Sequence, residues 1–342
     1  EEALAEALSV ARGSMAVALL WLNEPDVVFC ACKNARLFVA RGPRGSFCSS
    51  ELACLHGLAE SYLELGSGQL AVLRPDGIDV LALEGLRPVG AAFRPFRMGL
   101  DEARRQGHAH MTLREIWEQF YRLPDSLRLQ EPYLNLMASM LAGTEEIFLV
   151  GEGSSYNACL AASYIFSSLA YQAAHAVRLA EFVNHYGETL SVATAVLIAD
   201  EWGDGRDLEA LVRLARSKGA TVLGITNRLG SFLTRMARLY ICQHSGPPLG
   251  VVPMRTFTAQ VLVFVQLALR IAELKGKIGH VELEEKLEAL RSVPELVRRT
   301  IELSEPEARR AAKEYADKRF FFVLGRGLGY PTALEGVQKL ME

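Results

Sequence analysis

The spacing of apolar residues changes near residue 136, and this change divides the chain into two predicted architectures. Over residues 1–90, short apolar runs are separated by turn-forming residues, and Asp76-Gly77 between two such runs predicts a hairpin. This pattern predicts a strand-rich α+β segment. From residue 136 onward, apolar strands alternate with helical patterns, an order that predicts a parallel sheet covered by helices on both faces.

The predicted α/β region opens with a strand at 146–150, a Gly/Ser turn at 151–155 and a helix at 156–170. The same pattern then predicts strands at 193–199, 221–226 and 239–242 and helices at 206–218, 231–237 and 256–274. Helical segments over 283–315 and a new strand at 319–324 follow. We therefore expect a domain over 1–95, a helical connector over 96–135, an α/β domain over 136–290, and a connector with the start of another domain over 291–342.

The strand and turn that open the α/β region recur near the end of the chain at a constant offset. Both copies consist of an apolar strand, a Gly-x-Gly turn and the start of a helix. The matched pairs are Gly151 with Gly325, Gly153 with Gly327, Tyr156 with Tyr330 and Leu160 with Leu334. This internal repeat predicts two similar α/β domains in tandem.

Composition limits the possible functions. The chain has 342 residues, of which 50% are hydrophobic and 23% charged, a balance that predicts a folded chain of about two domains. Its net charge is −3, so the chain as a whole does not have the excess of basic residues that is typical of nucleic-acid-binding proteins. Six cysteines are too few for a disulfide scaffold and show no CxxC zinc spacing, so we expect a reduced, intracellular chain. No uninterrupted apolar run of membrane-spanning length and no signal peptide are visible.

The Gly/Ser turn is the first candidate for chemistry. Glycine lets the backbone approach a ligand, and the N–H groups at the start of a helix attract anions. The hydroxyl groups of Ser154 and Ser155 add donors, so a phosphate site is one interpretation. A tight strand–helix turn with a serine cap is the other, and a dinucleotide site would need a third glycine that is absent.

An acidic loop follows the next strand, over 199–207. In a doubly wound sheet this loop lies beside the first turn, where ligands bind. Its carboxylates would repel a phosphate unless a cation intervenes. They are Asp200, Glu201, Asp204 and Asp207. They fit an acid–base pair or a Mg²⁺ site, or else a solvated loop in which Asp207 caps the following helix.

Two further segments carry charged side chains. A long loop precedes the last apolar helix of the α/β region, and we expect Arg255 to project over the site and Thr256 to cap the helix. The alternative is that this loop is only an ordered connector. At the chain end, the spacing of Glu335, Lys339 and Glu342 places them on one face of a helix. That face is either a surface ion pair or part of a site.

These segments together resemble the glutamine–fructose-6-phosphate aminotransferase family over nearly the whole chain. That family joins a glutaminase domain to two sugar isomerase (SIS) domains. The similar segments are 12–16, 23–26 and 47–50 for the glutaminase domain, 110–119, 151–156, 181–182, 219–227, 246–251 and 256–258 for the first SIS domain and its entry, and 324–336 for the second. The resemblance implies an α/β, flavodoxin-like SIS fold with a parallel sheet, preceded by a partial α+β glutaminase domain of the Ntn type.

The resemblance also implies an activity, namely amino transfer from glutamine to fructose 6-phosphate with isomerisation to glucosamine 6-phosphate. It implies a cytoplasmic enzyme of amino-sugar biosynthesis, a homodimer that binds a phosphosugar and glutamine and needs neither metal nor organic cofactor. Nucleic acid and membrane are not expected as partners. The implied catalytic residues are Glu342, the base that moves a proton between two sugar carbons, with Lys339 and Glu335 beside it. The positions implied for the phosphosugar are Gly153, Ser154, Ser155 and Val251.

Departures from the family pattern leave alternatives open. The glutaminase's cysteine nucleophile and the family's later His and Lys are absent, so we expect both ends to be cuts and the fragment alone to be inactive. The family's Ser-Gln-Ser-Gly-Glu-Thr phosphate loop aligns with 199–204, where carboxylates replace neutral donors, and Pro253 and Arg255 alter the lid loop. The alternatives are an SIS isomerase or deglycase for another sugar, and a non-catalytic SIS sugar-phosphate sensor.

Overall fold

The computed structural model describes residues 1–13, 15–33, 35–96, 108–129, 131–246 and 252–342. The chain forms two compact units, Glu1–Gln106 and Gly107–Glu342, and each unit has a hydrophobic core of its own. In the second unit, the strands at Thr221–Thr226 and Leu239–Cys242 and the helix at Thr256–Leu274 have the predicted bounds.

The first unit is rich in strands, as the short apolar runs predict. Its described elements are helix α1 (Glu2–Val10) and strands β1 (Met15–Trp21), β2 (Glu24–Lys33), β3 (Phe38–Gly42), β4 (Gly45–Ser49), β5 (Ser61–Glu64), β6 (Gln69–Arg74), β7 (Gly77–Ala82) and β8 (Arg94–Pro95). They form two antiparallel sheets in the orders β1-β2-β6-β7 and β4-β3-β5-β8. The predicted hairpin joins β6 to β7, where Arg74 pairs with Gly77.

Side chains from both sheets of the first unit share one core. Cys30 and Val39 come from different sheets and are both fully buried in it. A polar contact also links the sheets, because Ser46 Oγ on β4 donates a hydrogen bond to the Arg74 carbonyl oxygen at the end of β6, at 2.6 Å. The two sheets are therefore held together by apolar burial and by a specific hydrogen bond.

The second unit contains a five-stranded sheet in which every neighbouring pair is parallel, which confirms the prediction from alternating elements. The sheet order is β10-β9-β11-β12-β13. Its strands are β9 (Glu146–Gly151), β10 (His175–Arg178), β11 (Thr194–Ala199), β12 (Thr221–Thr226) and β13 (Leu239–Cys242). The described helices are α2 (Met111–Leu127), α3 (Glu131–Ala142), α4 (Ser154–Leu169), α5 (Leu179–His185), α6 (Arg206–Ser217), α7 (Phe232–Met236), α8 (Thr256–Leu274), α9 (His280–Arg291), α10 (Val293–Glu314) and α11 (Gly329–Met341).

Helices cover both faces of this sheet, and alternation along the strands divides the core in two. On β9, Leu149 joins the cluster formed with α3, α4 and α8, whereas Val150 joins the cluster formed with α5, α6 and α7. Successive strand residues point to opposite faces, so a strand buried on both sides must be apolar throughout. The carboxyl ends of β9, β11, β12 and β13 consequently share one edge, where the candidate site lies.

Helix α8 is a long apolar helix that runs through the core of the second unit. By length and composition alone it is a candidate membrane span, but 67% of that window is buried inside the protein. Its polar residues are bonded within the unit. Gln266 Nε2 donates to the Ser126 carbonyl oxygen at 3.0 Å, and Arg270 Nη1 donates to Asn135 Oδ1 at 2.7 Å. These contacts fit a buried core helix.

The strand predicted at 319–324 does not form, so that prediction is wrong. The segment contains no assigned strand, and no described strand pairs with it. Phe322 and Leu324 are each 91% exposed. An apolar run becomes a strand only where a neighbouring strand completes its hydrogen bonds, and the described residues supply no such neighbour here.

The turn that follows this segment nevertheless has the geometry of its earlier counterpart. Gly153 and Gly327 have φ angles of +55° and +56°, which are left-handed values that favour glycine. Gly151 and Gly325 each lie against the backbone four residues later, so that an added Cβ would meet it at less than 3 Å. The local repeat detected in the sequence therefore corresponds to two turns of the same backbone shape, each followed by a helix.

Candidate functional site

The Gly/Ser turn between β9 and α4 is built by its glycines. A Cβ at Gly151 would lie 2.7 Å from the carbonyl carbon of Ser155, so no larger residue fits without a backbone shift. The left-handed Gly153 then directs the chain into α4, whose first residues are Ser154 and Ser155. The turn thus places two hydroxyl groups and the N-terminus of a 16-residue helix at the carboxyl end of β9, where the N–H groups of Ser155 and Tyr156 donate to the Glu152 carbonyl oxygen at 3.1 and 3.4 Å.

Helix α11 lies on this turn and brings the predicted catalytic residues to it. Lys339 Nζ donates a hydrogen bond to Ser154 Oγ at 2.9 Å. The same ammonium group forms ion pairs with Glu335 at 3.4 Å and with Glu342 at 3.1 Å. Four residues predicted separately from two distant segments, Ser154, Glu335, Lys339 and Glu342, therefore form one cluster. We call these four side chains the lysine cluster.

Asn157 and Gln338 complete the contact between α4 and α11, and sequence reasoning missed both. Asn157 Nδ2 donates to Glu335 Oε2 at 2.8 Å and to Gln338 Oε1 at 3.1 Å. An added Cβ at Gly153 would lie 3.0 Å from Gln338 Nε2. The available signal was spacing, because Asn157 lies three residues after Ser154 and so shares its helix face.

Ser155 faces a different set of partners from Ser154. Its Oγ accepts a hydrogen bond from Gln260 Nε2 of α8 at 3.0 Å, and the same amide donates to Gln243 Oε1 at 2.9 Å. Gln243 Nε2 in turn donates to Ser245 Oγ at 2.8 Å. All four side chains are buried, and the side-chain amide oxygen of Gln260, Oε1, has no hydrogen-bond partner among the described residues. Ser155 thus belongs to a buried polar network that joins α4, α8 and the end of β13.

Asp200 and Asp204 of the acidic loop both accept backbone N–H groups. Asp200 Oδ1 accepts the backbone N–H groups of Trp202 at 3.0 Å and Gly203 at 2.5 Å. Asp204 Oδ1 accepts the N–H of Phe232 at the start of α7, at 2.7 Å. Each carboxylate therefore stabilises a turn or a helix start.

Glu201 is the buried member of the acidic loop. Its Oε2 accepts a hydrogen bond from Thr256 Oγ1 at 2.5 Å, and the residue is only 8% exposed. Burial raises the pKa of Glu201 to about 7; the Thr256 hydroxyl lowers it, the Glu115 charge raises it, and the Arg255 charge lowers it. The Glu201 carboxyl group is therefore partly protonated near neutral pH.

Arg255 does not project over the site as expected. It is 3% exposed, and its guanidinium group forms ion pairs with Glu118 at 2.7 Å and Glu115 at 3.3 Å on α2. Burial of the aliphatic part and two carboxylates draw the side chain inward, away from solvent. The loop before α8 is therefore anchored to α2. Val251, the predicted sugar contact, lies outside the described residues.

Two helix caps predicted from the sequence are also corrected. The residue that precedes α8 is Arg255, and Thr256 is already inside the helix, where its hydroxyl donates to Glu201. The residue that precedes α6 is Gly205, and Asp207 lies in the first turn without a capping bond. A carboxylate in that position still interacts favourably with the helix dipole.

A cavity of about 560 Å³ lies beside the acidic loop, at the carboxyl ends of β11, β12 and β13. Glu201, Trp202, Asn227, Arg228 and His244 are among its lining residues. Among the described residues, no group of three His, Cys, Asp or Glu side chains is arranged to hold a metal ion. The lysine cluster, at the start of α4, offers hydroxyl, ammonium and carboxylate groups.

Comparison with known proteins shows which domain family and which proteins this chain resembles. Residues 140–270 match the SIS domain family. Curated glutamine–fructose-6-phosphate aminotransferases from Thermococcus kodakarensis and Aeropyrum pernix are 32% and 31% identical to the chain, cover 100% of it, and are themselves covered over 57% of their length. The chain thus spans little more than half of these relatives. The C-terminal domain of glucosamine-fructose-6-phosphate aminotransferase from Francisella tularensis has a TM-score of 0.65 and 26% identity, over 70% of this chain and 69% of that one.

Proposed function

This chain carries an SIS domain and is related along its whole length to the glutamine–fructose-6-phosphate aminotransferases, and we propose that it is the middle part of such an enzyme. Residues 1–95 would be the C-terminal part of its glutaminase domain, 136–290 its first SIS domain, and 291–342 the connector and start of the second. The reaction would transfer the amide nitrogen of glutamine to fructose 6-phosphate and isomerise the product to glucosamine 6-phosphate. The observation that carries this proposal is the lysine cluster.

Within the proposed reaction, Glu342 is the proton carrier. Isomerisation moves a proton between adjacent sugar carbons, which a carboxylate beside the reacting atoms can do. The Glu342 side chain is 31% exposed, so a substrate can reach it, and Lys339 fixes one of its oxygens at 3.1 Å. Glu335 is more buried and is tied to Asn157, so its role is to position Lys339 and α11.

The sugar phosphate would bind at the start of α4. The positive end of the α4 dipole and the Ser154 hydroxyl favour a phosphate, and Lys339 brings a positive charge to the same hydroxyl. The acidic loop opposes this binding less than its composition suggests. Asp200 and Asp204 are committed to N–H groups of their own surroundings, and Glu201 is buried against Thr256. We therefore propose weakened, but retained, phosphosugar binding.

Calorimetric titration of the chain with fructose 6-phosphate tests this proposal. Ser154→Ala removes one charge-assisted hydrogen bond, worth about 1.5–3 kcal/mol, and should weaken binding by about tenfold or more. Ser168→Ala is the matched control, because Ser168 lies at the other end of α4, is exposed, and bonds only within its helix. Fructose without its phosphate should bind neither variant measurably.

Equal affinity of the Ser154→Ala and Ser168→Ala variants would contradict a phosphate site at this turn. Absence of binding at millimolar fructose 6-phosphate, with binding restored when Asp200 and Glu201 are changed to Gln and Ser, would show that this chain has lost its relatives' substrate. That result would favour the second candidate, a SIS protein for another sugar or a non-catalytic sensor. The observation behind this alternative is the replacement of neutral donors by carboxylates over 199–204.

A further inference from the structure

Three arginine side chains line a cavity at the edge of the second unit's sheet where the strands begin. The cavity has a volume of about 400 Å³, and its lining includes Thr221 and Val222, the first two residues of β12. Arg216, Arg235 and Arg238 also line it, and we call it the arginine cavity. The candidate site lies at the opposite edge, where the same strands end, so the two places are separate.

The three arginines come from consecutive elements that meet at this edge. Arg216 lies in the last turn of α6, and its Nη1 donates to the Met236 carbonyl oxygen at the end of α7, at 2.7 Å. Arg235 lies in the last turn of α7, and its Nη1 donates to the Gly230 carbonyl oxygen at 2.8 Å. Arg238 immediately precedes β13. The backbone bonds therefore fix Arg216 and Arg235 against the wall of the cavity.

No carboxylate balances these three charges in the part of the chain that the structure describes. The described lining of the arginine cavity contains neither Asp nor Glu, and the carbonyl oxygens that its arginines contact are neutral. Other surface arginines of this unit do have acidic partners. Arg213 on α6 pairs with Glu209 at 3.7 Å, and Arg310 on α10 pairs with Glu307. Like charges gathered without a counter-charge repel one another, so an anion that binds among them is favoured.

We propose that the arginine cavity binds a small anion that carries two or more phosphate groups. Guanidinium groups bind phosphate oxygens through paired N–H donors, and a guanidinium keeps donors free after giving one to a carbonyl oxygen. Three positive charges exceed the charge of one phosphate group, which is near −2. Thr221 adds a hydroxyl group to the lining. The concave wall and the net charge of −3 of the whole chain favour a compact anion over a long nucleic acid.

Calorimetric titration of the full chain with inorganic pyrophosphate tests the proposed site. The wild-type chain should bind pyrophosphate more tightly than inorganic phosphate. The double variant Arg235→Met/Arg238→Met should lower the affinity for pyrophosphate by about 100-fold, which is about tenfold for each charge-assisted contact that is lost. Both side chains are exposed, so their replacement leaves the core intact. Arg309→Met/Arg310→Met is the matched control, because it removes two exposed charges from α10, and it should leave the affinity unchanged.

Ser154→Ala separates this site from the phosphosugar site of the proposed function. No residue of the arginine cavity belongs to the lysine cluster. The Ser154→Ala variant should therefore bind pyrophosphate as the wild-type chain does, whether or not the chain binds fructose 6-phosphate. Loss of pyrophosphate binding in Ser154→Ala, with binding retained in Arg235→Met/Arg238→Met, would place the anion at the start of α4 and overturn the proposal.

Chemical modification of the wild-type chain gives a measurement that does not depend on how a variant folds. Phenylglyoxal modifies accessible guanidinium groups, and peptide mass spectrometry follows each arginine separately. Pyrophosphate should slow the modification of Arg216, Arg235 and Arg238 severalfold and leave that of Arg310 unchanged. Equal modification rates with and without pyrophosphate would contradict a site in the arginine cavity, as would equal pyrophosphate affinity of the wild-type chain and Arg235→Met/Arg238→Met.

Discussion

Glu201 offers the sharpest test of the electrostatics of the second unit. Its carboxyl group is buried, accepts the Thr256 hydroxyl, and carries a pKa of about 7 instead of the ordinary 4.5. A folded-state pKa above the unfolded one means that the folded chain holds this proton more tightly. The stability that the group contributes is therefore complete below pH 4.5 and is lost as the pH rises through about 7.

The size of the effect follows from the two pKa values. A difference of one pKa unit corresponds to about 1.4 kcal/mol, so the change from 4.5 to about 7 corresponds to about 3 kcal/mol. Glu201→Gln keeps an oxygen that can accept the Thr256 hydroxyl but cannot ionise. We expect the free energy of unfolding of the wild-type second unit to fall by about 3 kcal/mol more than that of the variant between about pH 4.5 and about pH 8.

Urea unfolding followed by tryptophan fluorescence measures this difference. Trp202 is adjacent to Glu201 and Trp117 lies on α2, whereas Trp21 belongs to the first unit. A Trp21→Phe background therefore confines the signal to the second unit. Asp207→Asn is the control, because it removes an exposed charge from the same loop. The reasoning is refuted if the wild-type and Glu201→Gln proteins lose the same stability between the two pH values.

Three further changes test other parts of the second unit. Arg255→Met removes the cation that pairs with Glu115 and one of the two that pair with Glu118 and should lower the free energy of unfolding by about 3–5 kcal/mol, whereas Arg298→Met, on an exposed helix, should leave it unchanged in the same urea titration. Gly151→Ala forces a Cβ against the Ser155 backbone and should cost about 1–3 kcal/mol by thermal unfolding, while Gly336→Ala in α11, with open space around it, should stabilise by up to about 1 kcal/mol. In the longer enzyme that the proposed function requires, Glu342→Gln should slow glucosamine 6-phosphate formation by about 10²–10⁴-fold and leave fructose 6-phosphate binding intact; unchanged product formation would exclude Glu342 as the base.

The fold of the second unit could be predicted from sequence because its signals are local. The runs at 221–226 and 239–242 are apolar on both sides, as strands of a covered parallel sheet must be, and the structure forms them within the same bounds. The turn glycines were equally readable, since Gly151 and Gly153 meet conditions that no other residue satisfies easily. The strand at 319–324 failed because strand formation depends on a partner, which is not a property of the segment itself.

The site residues also divide into those that local spacing identifies and those that depend on a distant partner. Glu335, Lys339 and Glu342 could be grouped by helical spacing, but nothing local shows that their helix lies on α4. Asn157 was missed for that reason, because its partner in the site, Glu335, lies far along the chain. Arg255 was misplaced for the converse reason. Its charge suggested an exposed position over the site, whereas the carboxylates that bury it come from α2.

The acidic loop shows how composition and structure can lead to different expectations for one site. Counted as charges, Asp200, Glu201 and Asp204 would repel a phosphate at the start of α4. In the structure, two of them accept backbone N–H groups, and the third is partly protonated near neutral pH. Asp200 therefore satisfies N–H groups of its own loop, and Asp204 satisfies an N–H group at the start of α7. The proposed phosphate binding at this edge then depends on α4 and Ser154, whose hydroxyl Lys339 contacts. Because Lys339 also pairs with Glu342, any anion that draws its ammonium group away alters the contacts of the proposed base.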